Sequence, residues 1–202
     1  CCSSTLFFFC LLLCCVTLLL IMTNSSVKIY DAKASGCHVW AGADDIVNIA
    51  GKKIHFIGTG GGGMSGLAKL LIKHNAIVTG SDQAQSPVIA RLCQLGASLK
   101  IGHNADNLDL DTDAVVISAA IKEDNPELKE ARRRGGKIYK YAEMLGILMN
   151  QFEGIAVAGT HGKSTTTGWL VYCLKQAGLD PNFIVGAEIS QLDCSSGVGN
   201  GK

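Results

Sequence analysis

The chain lacks a charge excess of either sign: 18 lysines and arginines stand against 17 acidic residues. That balance excludes the bulk basic footprint of a nucleic-acid binder. The short run Arg132-Arg133-Arg134 reads as the solvated last turn of a helix, where cations suit the dipole. Paired cysteines are lacking too. Five of the nine cysteines fall in the first 15 residues, and Cys37, Cys93, Cys173 and Cys194 are scattered without Cys-x-x-Cys spacing. This argues against a zinc site and against a secreted disulfide scaffold. The globular part therefore reads as a protein of a reducing, cytoplasmic compartment. Aromatics are few, at 6%, while glycines number 24 and hydrophobic residues reach 48%. That composition fits an α/β domain with glycine-rich turns, not a disordered or fibrous chain.

The first 22 residues stand apart. Leu6 to Met22 is apolar except for Thr17, close to the shortest stretch that spans a bilayer as a helix, about 17 residues. A signal peptide carries a basic n-region, and no lysine or arginine precedes Lys28. The chain begins with Cys, and its leader is rich in Phe, Leu, Ser and Cys, the residues of pyrimidine-rich codons. One reading makes the leader translated non-coding sequence, with Met22 as the start. The other makes it a membrane anchor or a targeting remnant, and only then is a membrane a partner. Residues 1–50 are set aside as leader and linker.

From Lys53 onward, strands and helices alternate. Ile54–Ile57, Ala76–Thr79, Ala114–Ile117, Lys137–Tyr139, Ile155–Ala158 and Phe183–Val185 read as short buried strands. Met64–His74, Pro87–Leu95, the segment opened by Asn125-Pro126-Glu127, Tyr141–Met149 and Ser164–Ala177 read as helices. Ser86 caps the second of these and Pro87 takes its first position. The alternation predicts parallel sheets of the doubly wound kind.

Two glycine loops interrupt this pattern. Gly58-Thr59-Gly60-Gly61-Gly62-Gly63 lies between a strand and a helix and satisfies G-x-G-x-x-G at Gly58, Gly60 and Gly63. Glycines let the backbone approach a diphosphate, and the helix end offers free N–H groups. Asp82 follows Gly63 by 19 residues, at the end of the second strand, where a Rossmann acid binds ribose. Alone, the motif favours a dinucleotide such as NAD; a turn that only packs helix on strand is the alternative. Asp82 equally suits a turn cap.

The second loop, Gly159-Thr160-His161-Gly162-Lys163-Ser164-Thr165, again follows a strand and opens a helix. It is a short P-loop: Val157 stands where the eight-residue pattern has its first glycine. Loop amides cradle phosphate, a lysine reaches the β/γ-phosphates, and a hydroxyl ligates Mg²⁺. A dehydrogenase needs the first loop and a simple ATPase the second. A ligase that activates a nucleotide-linked substrate with ATP needs both.

In combination, these segments resemble the Mur ligase family, most closely its members that join L-alanine to UDP-N-acetylmuramate. The resemblance rests on Gly58–Gly66 (GTGGGGMSG), Gly80-Ser81-Asp82, Gly102-His103-Asn104, Ser118–Ile121 with Asn125-Pro126-Glu127, Ala142–Leu145 and Ala156–Lys163. It covers about Lys53 to Gly186, with Ser164 where threonine is usual.

The resemblance implies a Rossmann-like UDP-sugar domain over residues 51–150, followed by the start of a P-loop ATP-binding α/β domain over 151–202. It places Gly58, Gly60, Gly61, Gly62, Gly63, Met64 and Ser65 at the diphosphate, Asp82 and His103 near the uridine, and Ser118 by the substrate pocket. Gly159, Thr160, His161, Gly162, Lys163, Ser164 and Thr165 would hold ATP. Lys163 would act in catalysis and Ser164 on Mg²⁺. His103 and His161 also suit plain turn and solvated roles. The family's three domains exceed twice this length, so the expectation is that this segment alone is inactive. A second expectation is that its truncated second sheet has an unpaired edge and poor order.

Overall fold

The computed structural model describes residues 49–152, 154–190, 192 and 194–200, with the backbone of two strands at 17–23 and 26–30. Residues 1–16, most of the apolar leader, lie outside the described residues, as do residues 201 and 202.

The chain runs β1 (Thr17–Thr23), β2 (Ser26–Tyr30), β3 (Lys53–Ile57), α1 (Gly62–Lys73), β4 (Ile77–Asp82), α2 (Pro87–Gln94), β5 (Ser98–Ile101) and a 3₁₀ turn (Ala105–Asn107). It continues through β6 (Ala114–Ile117), α3 (Pro126–Arg133), β7 (Lys137–Lys140) and α4 (Tyr141–Met149). Then come β8 (Gly154–Gly159), α5 (Lys163–Gln176), β9 (Phe183–Ile189) and β10 (Cys194–Gly197).

Five strands form one parallel sheet in the order β5-β4-β3-β6-β7. Counted from β3, this is 3-2-1-4-5, the dinucleotide-fold order, with its switch point between β3 and β6. The central strand β3 is apolar because helices cover both its faces. Ile54 and Phe56 join Leu67 and Leu71 of α1, Leu92 of α2 and Met144 of α4 in the larger core. Ile57 turns the other way, into a smaller core with Leu128 and Ala131 of α3. Each fully buried Leu, Ile or Phe contributes about 1.5–3 kcal/mol, so α1 is held mainly by its inner face.

The second half departs from the expected parallel sheet. β8 pairs antiparallel with β1, Leu20 opposite Ala156, and β1 pairs with β2. β9 and β10 form a separate antiparallel ladder. β8 has β1 on one side only and ends this three-stranded sheet, so the leader strand satisfies the N–H and C=O groups of one edge and, among the described residues, the other edge has no strand beside it. Among the described residues no helix is long and apolar enough to cross a membrane.

Candidate functional site

The first glycine loop leaves the C-terminal end of β3 and is shaped by β4 beside it. Gly80 carries no side chain for a steric reason: a Cβ there would lie 2.5 Å from the Phe56 carbonyl oxygen. The close approach lets the Ser81 carbonyl accept from Gly58 N (2.9 Å) and Thr59 N (3.2 Å). Gly58 turns the chain with φ +82°, a conformation that glycine takes without steric penalty. Asp82 fastens the next residue, accepting from Gly60 N at 2.7 Å with one oxygen and from Ala84 N at 3.2 Å with the other. Gly-Ser-Asp thus supplies space, a carbonyl anchor and a carboxylate anchor in turn.

The proposed diphosphate residues divide by role. A Cβ on Gly62 would meet nothing within 4 Å, and one on Gly61 only Met64, so this part of the loop is open. Met64 and Ser65 are buried, and the Ser65 hydroxyl donates back to the Gly62 carbonyl. Their side chains shape the loop from beneath. Ser118, at the end of β6, lies against Gly58 and accepts from Ala120 N at 3.1 Å. His103 follows β5, and its Nδ1 is 2.8 Å from Ser81 Oγ. Asp82, His103 and Ser118 therefore gather at the carboxyl ends of the strands, where open α/β sheets bind ligands.

The P-loop makes its turn at Gly162, with φ +77°. Lys163 is exposed and its ammonium folds back onto the carbonyls of Gly159 (2.6 Å) and Thr160 (3.2 Å). His161 and Thr165 are exposed, and Ser164 is half-buried at a cleft of about 430 Å³ that Trp169 and Tyr172 also line.

One contrast bears on what these loops can hold. α2 is capped by the Ser86 hydroxyl and α3 by the Asn125 side chain. α1 and α5 have glycine at the N-cap, no side-chain acceptor and no acidic residue in the first turn. The two helices behind the glycine loops therefore present uncapped N–H groups and a positive dipole end, an arrangement that suits phosphate. Among the described residues no group of three or more His, Cys, Asp or Glu side chains is placed to hold a metal.

A family profile described as the Mur ligase family, catalytic domain, matches residues 53–153, half of the chain. The chain belongs to the Mur ligase family. It is 47% identical over 151 residues to a UDP-N-acetylmuramate–L-alanine ligase of Pelobacter propionicus, covering 75% of this chain and 33% of that protein. It is similar to the crystal structure of a UDP-N-acetylmuramate–alanine ligase from Thermotoga maritima, with 32% identity, TM-score 0.65, and coverage of 74% of this chain and 35% of that one. A UDP-N-acetylmuramate:L-alanyl-γ-D-glutamyl-meso-diaminopimelate ligase from Neisseria meningitides matches with 31% identity and TM-score 0.66, over 73% and 46%. The chain spans about a third of the length of the curated relatives it matches.

This Mur ligase segment also holds a buried network that sequence patterns do not show. Glu127 in the first turn of α3 is 0% exposed, as is His55 in the middle of β3. Glu127 accepts from Ser81 Oγ (2.6 Å), His55 Nε2 (3.1 Å), Asn107 Nδ2 (2.7 Å) and Asn104 N (3.0 Å). Burial pushes its pKa up. The bonds from His55, Ser81, Asn107 and the Asn104 amide outweigh burial and hold the pKa at about 2. The available signals were a histidine inside an apolar strand and an acid directly after Asn-Pro.

Proposed function

We propose that this chain is the nucleotide-handling part of a cytoplasmic ATP-dependent ligase of peptidoglycan precursor synthesis, one that joins L-alanine to UDP-N-acetylmuramate. The observation that carries the reading is the pair of uncapped glycine loops, each between a strand and a helix, in one chain. Residues 51–150 form the UDP-sugar domain. Its loop amides at Gly61 to Gly63 face the diphosphate, Gly60 N being held by the Asp82 carboxylate; Asp82 and His103 lie toward the nucleoside, and Ser118 borders the sugar side. Residues 151–202 begin the ATP domain.

The P-loop fits a nucleotide phosphate: a Cβ on Gly162 would meet nothing within 4 Å, and Lys163 is held only by carbonyls that a phosphate can replace. ATP, bound with Mg²⁺, would supply its γ-phosphoryl group to the muramyl carboxylate, leaving ADP and an acyl phosphate from which the alanine amine would expel inorganic phosphate. The chain's own contribution is positioning and charge neutralisation. Loop amides from Gly159 to Gly162 orient the phosphates, Lys163 neutralises β/γ charge, and the Ser164 hydroxyl serves the metal. Thr160, His161 and Thr165 border the same loop.

The test is thermal unfolding of the chain with UDP-N-acetylmuramate, ATP-Mg²⁺ and NADH in separate titrations. A ligand that binds only the folded state stabilises by about 2.7 kcal/mol at 100 times its dissociation constant. Shifts with the UDP-sugar and with ATP-Mg²⁺, and none with NADH, are expected. A shift with NADH alone overturns the reading.

A further inference from the structure

Glu127 sits where three separate segments meet. Its carboxylate reaches β3 through His55, the end of β4 through Ser81, and the turn after β5 through the Asn104 amide and the Asn107 side chain. It is aimed by its own helix start, since Asn125 Oδ1 accepts from Glu127 N (2.9 Å) and Leu128 N (3.1 Å).

Proton accounting gives this cluster a direction. An ionised carboxylate only accepts, and a serine hydroxyl has a single proton to give. Ser81 spends that proton on Glu127 at 2.6 Å. Its 2.8 Å contact with His103 Nδ1 must then run the other way, with Nδ1–H donating to Ser81 Oγ. The neutral His103 ring is thereby the Nδ1–H tautomer, and Nε2 keeps a lone pair. No described residue engages Nε2, and the His103 side chain is 9% exposed. The same turn is tied to the glycine loop: Gly102 N donates to the Asp82 carbonyl at 2.8 Å, and the Asp82 carboxylate holds Gly60 N.

We propose that Glu127 is a positioning residue of the nucleotide site, fixing His103 through Ser81 so that Nε2 accepts a hydrogen bond from a donor group of the bound nucleoside. This rests on the reading of the first sheet as a nucleotide-diphosphate site. It assigns Glu127 and Ser81 no contact with ligand and makes His103 a specificity determinant for a nucleoside that carries a donor, a hydroxyl or a ring N–H.

Two measurements on the full 202-residue chain test it, with UDP as the probe. The first is ¹⁵N NMR of the histidine side chains at a pH where His103 is neutral, which reports the tautomer without any substitution. The Nδ1–H form is expected at His103, and the Nε2–H form in the wild-type chain overturns the proposal. The second is UDP affinity for the folded His103→Gln, His103→Asn and Ser81→Ala variants. Glutamine can place an oxygen acceptor near the Nε2 position, so it should keep most of the affinity. Asparagine places none there and should lose roughly tenfold, the scale of one hydrogen bond to a buried site. Ser81→Ala should shift the His103 tautomer population and lose a similar factor. Equal affinity for the Gln and Asn variants overturns the proposal, as does a Ser81→Ala variant with unchanged tautomer. If UDP fails to bind the wild-type chain, the nucleotide reading itself falls and takes the ligand role of His103 with it. The tautomer result then shows whether the Glu127–Ser81–His103 chain of bonds exists apart from that reading.

Discussion

The two glycine loops are built from similar letters and sit in different surroundings. The first leaves a strand whose Ile54, Phe56 and Ile57 are fully buried, and neighbouring strands and helices hold it at Ser81, Asp82 and Tyr141. The second leaves β8, where Ile155 is exposed, and its helix shows Trp169 at 66% and Tyr172 at 45% exposure. A glycine motif therefore specifies a turn and an open helix end. The sheet around it decides how firmly the turn is held. If that is right, equivalent changes at the two loops have unequal effects.

The largest difference is expected at the glycines beside each loop. Gly80→Ala forces a methyl to within 2.5 Å of the Phe56 carbonyl and 2.8 Å of Thr59 Oγ1. Backbone has no side-chain freedom with which to yield, so the variant should lose about 3 kcal/mol or more in urea unfolding. Gly186→Ala, in β9 beside the P-loop helix, would meet only Ser164 Oγ at 3.9 Å. It should stay within about 0.5 kcal/mol of the parent. Similar losses for both would erase the contrast.

Next comes acid sensitivity. Glu127 has its folded-state pKa depressed to about 2, so it binds fewer protons folded than unfolded. Its stabilisation is complete above the unfolded carboxylate value and drains away as pH falls through that value toward 2. The full effect is about 3 kcal/mol. Glu130, drawn down to about 2 by Arg133 and Arg134, titrates in the same window but is a surface group in high dielectric. Glu127→Gln should therefore flatten the acid limb of stability against pH, while Glu130→Gln should leave most of it. Equal slopes in the two variants would place the acid sensitivity elsewhere.

This buried acid also marks where sequence reading stopped. Strands with continuous apolar runs, such as Ile54–Ile57, and helices with a clear start, such as that at Ser86-Pro87, stand where periodicity and capping put them. β5 is hard to read from sequence because it is a short edge strand: its Ser-Leu-Lys-Ile alternation covers only four residues, and Ser98, Lys100 and Ile101 are exposed. The antiparallel partner of β8 comes from the apolar leader, whose composition names no place in a sheet. The loops are legible because a tight strand-to-helix turn demands local glycine, as at Gly58 and Gly162 with their positive φ. The His55–Glu127 contact joins residues 72 positions apart: a histidine inside an apolar strand stands out locally, but nothing local names its partner. Ser81 belongs to the Gly-Ser-Asp motif, but its hydrogen bonds to His103 and Glu127 depend on three segments meeting.

A smaller effect on the fold, with a larger one on binding, is expected at Lys163. The side chain is exposed and bonds only to loop carbonyls, so Lys163→Ala should change stability by less than about 0.5 kcal/mol. It should also abolish the thermal shift with ATP-Mg²⁺ and leave the UDP-sugar shift intact. Loss of both shifts would mean that the loops are coupled; loss of neither would remove Lys163 from the phosphate site.

A small gain in stability at the first loop is the most discriminating change. Gly61, the N-cap of α1, already has extended backbone (φ −63°, ψ 142°), and a Cβ there approaches nothing closer than 3.8 Å. Gly61→Asp can thus cap the helix and place negative charge at the positive end of its dipole, raising stability by roughly 0.5 kcal/mol. The same carboxylate would occupy the amides here proposed to take phosphate and would repel an anion. A variant that melts later yet no longer responds to the UDP-sugar would show that the bare helix end is kept open for an anion at the expense of stability. A variant that melts later and still binds would return Gly61 to the role of a simple turn residue, and the contrast between capped and uncapped helices would lose its functional meaning.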